Sequence, residues 1–137
     1  MNSDGTGAYS VLGVYISGYH ITALVVNLNT RQVLRSSYQR KAINSRGTAT
    51  EIIDSCCAVI SGVLAVNPVS KIGIAMQGPF DYEQGISYIR NNKKHEALYG
   101  LNVKQLIADK LGIPPIDICM LNDAASFLKG EVFAGEA

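Results

Sequence analysis

Three apolar, β-branched runs separated by three-residue turns open the chain. The runs span residues 11–17, 21–28 and 32–39, with a glycine in the first turn and an asparagine in the second. Apolar runs joined by two or three turn residues are typical of antiparallel hairpins. The first forty residues therefore predict a three-stranded meander.

Helices and strands alternate after this meander. Thr48 and Glu51 fit a capping box, apolar residues then recur at helical spacing, and Asn67-Pro68 ends that helix. Further predicted elements are a strand at residues 71–76, a short edge strand at 86–89, a helix at 103–111, a buried strand at 116–120 and a third helix from residue 124. This order predicts one α/β domain, a mixed five-stranded sheet with helices on both faces.

Composition narrows the function classes. The net charge is +1, so the chain has no strong field to attract nucleic acid or an anionic membrane. No uninterrupted apolar stretch reaches the ~18 residues of a membrane span, and the polar N-terminus lacks the pattern of a signal peptide, which favours a cytoplasmic protein. The three cysteines lack zinc-site spacing and, with only two histidines, predict buried thiols and no metal site in this chain.

The exit of the last predicted strand carries the most informative polar pair, Asn122 and Asp123. Open α/β sheets bind ligands at the carboxyl ends of their strands. A carboxylate there can take a proton from a hydroxyl, and the amide can donate to or accept from one. Asn and Asp are also favoured helix caps, so these residues alone leave a capping role open.

Several segments, in this order, resemble the ROK family of sugar kinases and sugar-responsive repressors, which belongs to the actin-like, ribonuclease-H-like group. The segments are residues 11–20 (VLGVYISGYH) at the first phosphate loop, 73–81 (GIAMQGPFD) at the Gly-Pro loop, 99–101 (YGL) at the entry to a helix, and 121–125 (LNDAA) with Gly130-Glu131 at the Asn-Asp segment. The resemblance covers residues 11–137.

The resemblance implies a two-lobed protein that binds its ligands in the cleft between the lobes. Residues 11–137 would form the N-terminal, ribonuclease-H-like lobe, preceded by a disordered or extended segment at residues 1–10. The second lobe would supply further sugar ligands, most of the adenosine pocket and, in many members, a zinc motif. Zinc is therefore expected only in that lobe, and this lobe alone should bind neither sugar nor nucleotide tightly.

The resemblance also assigns roles to residues. Asp123 would be the general base that accepts the proton of the attacking sugar hydroxyl, and Asn122 would hold a sugar hydroxyl. Gly78 and Pro79 would wall the sugar pocket, although a plain turn explains them equally well. Asn92 (or its neighbour Asn91) falls where the family often has a sugar-contacting Asn, with a solvated loop as the alternative.

The first loop departs most from the family pattern. ATP-using members have an acid followed by Gly-Gly-Thr, whose backbone N–H groups cradle phosphate. Here Tyr15 replaces the acid, Ser17 the first Gly and Tyr19 the Thr, and only Gly18 remains. Because Tyr15 offers no charge for Mg²⁺, we interpret this loop as a degenerate phosphate loop.

Two functions are consistent with a retained Asn-Asp segment combined with a degenerate phosphate loop. The first is the sugar-binding lobe of a sugar-sensing transcriptional regulator, which binds a sugar or sugar phosphate and contacts DNA only through a helix-turn-helix outside this lobe. The second is an ATP-dependent hexose or N-acetylhexosamine kinase, which would need Mg-ATP as cofactor. An interaction module on the same fold is a third reading. The identity of the sugar and any homo-oligomer are left open.

Overall fold

The computed structural model of the chain describes residues 10–90 and 94–122. The elements are β1 (Ser10–Ile16), β2 (His20–Asn27), β3 (Gln32–Ala42), α1 (Ala49–Val66), β4 (Ile72–Met76), β5 (Phe80–Asp81), β6 (Ile86–Ser87), α2 (Val103–Leu111) and β7 (Ile118–Leu121), with short 3₁₀ turns at Glu96–Leu98 and Pro115–Asp117. Apart from Ser10, the first strand residue, the predicted N-terminal segment lies outside the described residues.

The predicted mixed sheet is confirmed. β1, β2 and β3 form the antiparallel meander, and β1 also pairs in parallel with β4, which pairs in parallel with β7. The strand order is β3-β2-β1-β4-β7. Since β1, β4 and β7 run in the same direction, their carboxyl ends meet at one end of the sheet.

Alternating side chains give the sheet two apolar faces. The larger core lies on the first face, where Leu12 and Ile74 pack with Ile60 of α1 and Ile107 of α2. A smaller cluster centred on Val11, Val26 and Ala75 lies on the second face. Both described helices cover the first face. The third helix predicted from residue 124 lies outside the described residues, so a covering for the second face stays a prediction.

α1 is held to the sheet by one apolar stripe. Its buried residues are Ile52, Ile53, Cys56, Cys57, Val59, Ile60 and Val63. By length and composition alone α1 could cross a membrane, although the sequence has no uninterrupted apolar stretch of that length. The buried stripe of α1 is the usual pattern of a core helix. Burial raises the pKa of the Cys56 thiol to about 12, so this cysteine stays neutral in the core.

β3 extends three residues beyond its predicted end, to Ala42, and two further strands differ because of turns. The run at residues 86–89 shortens to β6, which pairs with β5 in a separate two-stranded sheet instead of joining the main sheet. The last strand begins two positions late because Pro115 opens a 3₁₀ turn, and a proline cannot donate a ladder hydrogen bond. In both places an apolar run was long enough for a strand, but the chain path was set by a turn.

The capping box at the start of α1 gives a first test. Thr48 Oγ1 accepts from the Glu51 N–H at 3.1 Å, and Glu51 Oε1 accepts from the Thr48 N–H at 2.8 Å. Replacing Thr48 with alanine leaves an N–H at the helix end without its partner, so we expect a loss of about 1 kcal/mol in the free energy of unfolding, measured by urea titration. Thr48→Ser, which keeps the hydroxyl, should stay close to the unchanged protein, and equal losses in both variants would contradict the capping role.

Candidate functional site

The carboxyl ends of β1, β4 and β7 lie side by side at one end of the sheet. In register, Ile16 lies beside Met76, and Ala75 beside Leu121. The first loop (residues 17–19) and the Gly-Pro loop (residues 77–79) therefore leave the sheet side by side. Between them is a cavity of about 120 Å³, lined by Tyr15, Ile16, Ser17, Gly18, Met76, Gln77, Gly78, Ile89, Lys94 and His95.

The first loop is closed by its own serine. Ser17 Oγ accepts hydrogen bonds from the backbone N–H of Tyr19 at 3.3 Å and of His20 at 3.0 Å, and its hydroxyl donates to the His20 carbonyl at 3.1 Å. The Ser17 N–H donates to the same carbonyl at 2.9 Å. An anion nest needs backbone N–H groups that point at the ligand. Here two of those groups already have an internal acceptor.

Tyr15, a further departure from the kinase pattern, lies in β1 just before this loop. It pairs with Ala75 across β1 and β4 and packs against the cluster on the second face of the sheet, while it also borders the cavity. None of the described residues that line the cavity carries a carboxylate. Across residues 10–90 and 94–122, no group of three His, Cys, Asp or Glu side chains is arranged to hold a metal ion.

The side chain of Lys94 packs against the first loop. Its aliphatic stem lies so close to Gly18 that an added Cβ would collide with it, and its Nζ stands 4.1 Å from the centroid of the Tyr19 ring. The hydrogen bond and charge of Lys94 lower the pKa of the exposed Tyr19 phenol. The absence of a side chain at Gly18 thus gives the stem of Lys94 room to pack against the loop.

His95 is the site residue that sequence reasoning missed. It is only 4% exposed. Its Nε2 donates to the Ser17 carbonyl at 2.8 Å, and its backbone N–H donates to the Ser45 carbonyl at 2.7 Å. Its backbone is left-handed, with φ at 58°. The sequence held only a weak signal, a single histidine after two lysines in a loop without periodicity.

The Gly-Pro loop is rigidly supported. The bond between Gly78 and Pro79 is cis. A Cβ on Gly78 would lie 2.7 Å from the backbone N of Phe80, so only glycine fits without a shift. Tyr82 donates its hydroxyl to the Met76 carbonyl at 2.7 Å, and the Tyr88 N–H donates to the Pro79 carbonyl at 3.0 Å. These contacts fix one wall of the cavity.

The predicted site residues are only partly placed. Gly18 and Gly78 line the same cavity, Pro79 directly follows it, and Asn122 is exposed at the end of β7. Asp123, Asn91 and Asn92 lie outside the described residues. Their roles in sugar binding and proton transfer therefore stay predictions.

Comparisons with known proteins support this architecture at the level of structure. No family model matches the chain, and no curated protein does. A ROK-family glucokinase from Streptomyces griseus, solved with glucose and AMPPNP, is 25% identical over 88% of this chain and 37% of its own, with a TM-score of 0.70.

Further solved structures with this fold include a transcriptional regulator and a second sugar kinase. A ROK-family transcriptional regulator homologous to the E. coli MLC protein is 18% identical over 83% of this chain and 28% of its own, with a TM-score of 0.66. Lmo2764 from Listeria monocytogenes, a putative N-acetylmannosamine kinase, is 17% identical over 91% of this chain and 40% of its own, with a TM-score of 0.62. The chain spans less than half the length of each of these proteins, and it has the fold of the ROK family of sugar kinases and transcriptional regulators.

Proposed function

We propose that this chain is the N-terminal, sugar-binding lobe of a ROK-type regulator that senses a sugar and has a degenerate phosphate loop. The observation that carries the proposal is the occupation of the first loop by Ser17, whose Oγ accepts the N–H groups of Tyr19 and His20. A triphosphate would have to displace both hydrogen bonds. Each is worth roughly 1 kcal/mol net, and the serine oxygen would then need another donor.

The charge and the free space at the first loop also disfavour the binding of Mg²⁺ and phosphate. Mg²⁺ is usually bound through one or two carboxylates together with phosphate oxygens. Tyr15 stands where ATP-using members have that carboxylate, and the stem of Lys94 fills the space above Gly18. Both features favour binding without phosphoryl transfer.

The sugar half of the site keeps its framework. The rigid Gly-Pro loop walls the cavity through Gly78, and Asn122 follows β7 at the same end of the sheet. We propose that Asn122 and Asp123 bind sugar hydroxyls, with Asn92 and Pro79 as further contacts. In a sensor, Asp123 acts as a hydrogen-bond acceptor. Closure of the two lobes around the sugar would then shift the population of the DNA-binding state.

The kinase remains the second candidate because one of the matched structures is a glucokinase bound to AMPPNP. In that function Asp123 is the general base and Mg-ATP the cofactor, with the sugar hydroxyl attacking the terminal phosphate. We place either protein in the cytoplasm, with a sugar or sugar phosphate as ligand and no nucleic acid contact by this lobe. Any zinc would belong to the second lobe.

Substitution of Asp123 by asparagine separates the two functions. In a sensor, Asp123→Asn in the full-length protein should weaken sugar binding by about tenfold, because a hydrogen bond to a charged group is replaced by a neutral one. Binding is measured by calorimetry with glucose and N-acetylmannosamine, and turnover by ADP release in the presence of Mg-ATP.

The unchanged protein provides the decisive comparison. Sugar binding with no ADP release supports the sensor. Release of ADP that depends on sugar and disappears in Asp123→Asn would establish the kinase instead. Asn122→Asp alters a proposed sugar ligand but keeps the carboxylate of Asp123, so sugar binding should weaken while any sugar-dependent release of ADP persists.

A further inference from the structure

Two consecutive residues, Lys94 and His95, contact all three residues of the first loop. His95 binds the Ser17 carbonyl, the stem of Lys94 covers Gly18, and the ammonium of Lys94 lies over the Tyr19 ring. We call this pair the clamp. The loop that corresponds to a phosphate loop is thus occupied by side chains of its own protein.

The clamp is anchored at a second point. The His95 N–H donates to the Ser45 carbonyl in the segment after β3, and the His95 carbonyl accepts from the Leu98 N–H at 3.1 Å. A histidine at positive φ costs on the order of 1 kcal/mol and persists only where the surroundings fix it. His95 therefore joins three separate segments at one wall of the cavity.

The contact with Ser17 needs a proton on Nε2, because a carbonyl oxygen only accepts, and both the neutral and the charged form of His95 can supply it. The two forms differ at Nδ1, which carries a proton only in the charged form. Nδ1 is buried and has no hydrogen-bond partner among the described residues. A proton on Nδ1 would create a buried N–H donor that has no acceptor within residues 10–90 and 94–122, together with a positive charge beside that of Lys94.

Burial and one neighbouring charge oppose protonation of His95. Ionisable groups on the segments packed around it are Tyr15, Tyr19 and His20 of the β1–β2 hairpin, Arg46 after β3, Asp81 beyond the Gly-Pro loop, and Lys94 and Glu96 of its own segment. Burial lowers the pKa of His95, the hydrogen bond to Ser17 opposes that change, and the charge of Lys94 adds to the lowering.

We propose that His95 is a positioning residue for the sugar cavity, which holds the first loop closed while neutral and releases it when protonated. That the cavity binds sugar rests on the proposed function, whereas the closure of the loop by the clamp does not. The direction of the pH dependence follows from linkage. A histidine whose pKa is lowered in the closed state stabilises that state fully above its ordinary pKa of about 6.5, and this stabilisation falls as pH drops below that value.

Nuclear magnetic resonance of the 137-residue chain tests the clamp without any sugar. Between pH 7.5 and 5.0, the backbone amide signals of Gly18 and Tyr19 should move together with the imidazole signals of His95, with a midpoint below 6.5. In His95→Gln, whose amide can still donate to Ser17 and does not titrate, the part of both amide shifts that follows the His95 imidazole should disappear. An amide titration in His95→Gln equal to that of the unchanged chain would overturn the proposal.

A matched variant separates the imidazole from the backbone. Asparagine tolerates positive φ but is too short to reach Ser17 as histidine does. His95→Asn should therefore show the released positions of the Gly18 and Tyr19 signals at every pH. Signals that instead remain at the closed positions in His95→Asn at pH 7.5 would show that the side chain does not hold the loop.

Sugar binding by the full-length protein tests the second half of the inference. Calorimetry with glucose and N-acetylmannosamine at pH 7.5 and 5.5 should show several-fold weaker binding at the lower pH, because release of the first loop removes one wall of the cavity. His95→Gln should lose this pH dependence. Absence of binding to both sugars at pH 7.5 counts against the proposed function, while equal affinity at the two pH values in the unchanged protein counts against the role of His95.

Discussion

Replacing Ile60 with alanine is expected to lower the free energy of unfolding by about 3 to 4 kcal/mol. Ile60 is fully buried in the middle of α1 and belongs to the core cluster that joins this helix to Leu12 and Ile74 of the sheet. Alanine has the higher helix propensity, so the helix itself gains a few tenths of a kcal/mol. The expected loss comes from the removed apolar contacts and the cavity left behind.

A control lies at the end of the same helix. Val66 is 79% exposed, so Val66→Ala removes little buried surface. Its expected effect is within about 0.5 kcal/mol of zero. Both variants are compared with the unchanged chain by urea unfolding followed by circular dichroism. Similar losses in the two variants would mean that α1 is not held by its apolar stripe.

Gly85→Ala should destabilise the chain by about 3 kcal/mol, for two independent reasons. Gly85 has φ at +88°, where a side chain is strained, and an added Cβ would collide with the Cβ of Lys104. Its carbonyl also accepts from the N–H of Val103 at 2.7 Å and of Lys104 at 3.3 Å. This glycine therefore ties the turn between β5 and β6 to the first turn of α2.

Gly62 offers the opposite expectation from the same substitution. It is exposed within α1, and an added Cβ would meet no atom within 4 Å. Gly62→Ala should raise the free energy of unfolding by about 0.5 to 1 kcal/mol, because alanine loses less conformational entropy in a helix. In urea titrations, the free energy of unfolding of Gly85→Ala should lie below that of the unchanged chain, and that of Gly62→Ala should lie above it. A neutral Gly85→Ala would contradict the observed turn.

The fold was largely predictable because its elements carry strong local signals. The meander follows from apolar runs separated by short turns, and α1 from a capping box and a stripe of apolar residues ended by Asn67. These signals depend on neighbours in sequence, so they can be interpreted without knowing the tertiary structure. The parallel pairing of β1, β4 and β7 then follows from the helices that connect successive strands.

The position of β6 was not predictable in the same way. Residues 86–89 are apolar enough for an edge strand, yet β6 pairs with β5 because the chain reverses at Gly85 and is held there by α2. A two-residue strand carries too little periodicity to choose its partner. Contacts between distant segments made that choice.

The candidate site likewise has one part that follows from the sequence and one part that depends on tertiary contacts. The sequence by itself determined that Gly18 and Gly78 follow strands at one end of the sheet, and its resemblance to the ROK family predicted that Tyr15, Ser17 and Tyr19 stand at the positions of a phosphate loop. Only the tertiary structure decided how that loop is closed, since the residue that binds the Ser17 carbonyl is His95, distant in the chain. A hydrogen bond between distant loops leaves no periodic trace in the sequence, because its geometry is fixed by the packing of the segments that carry it.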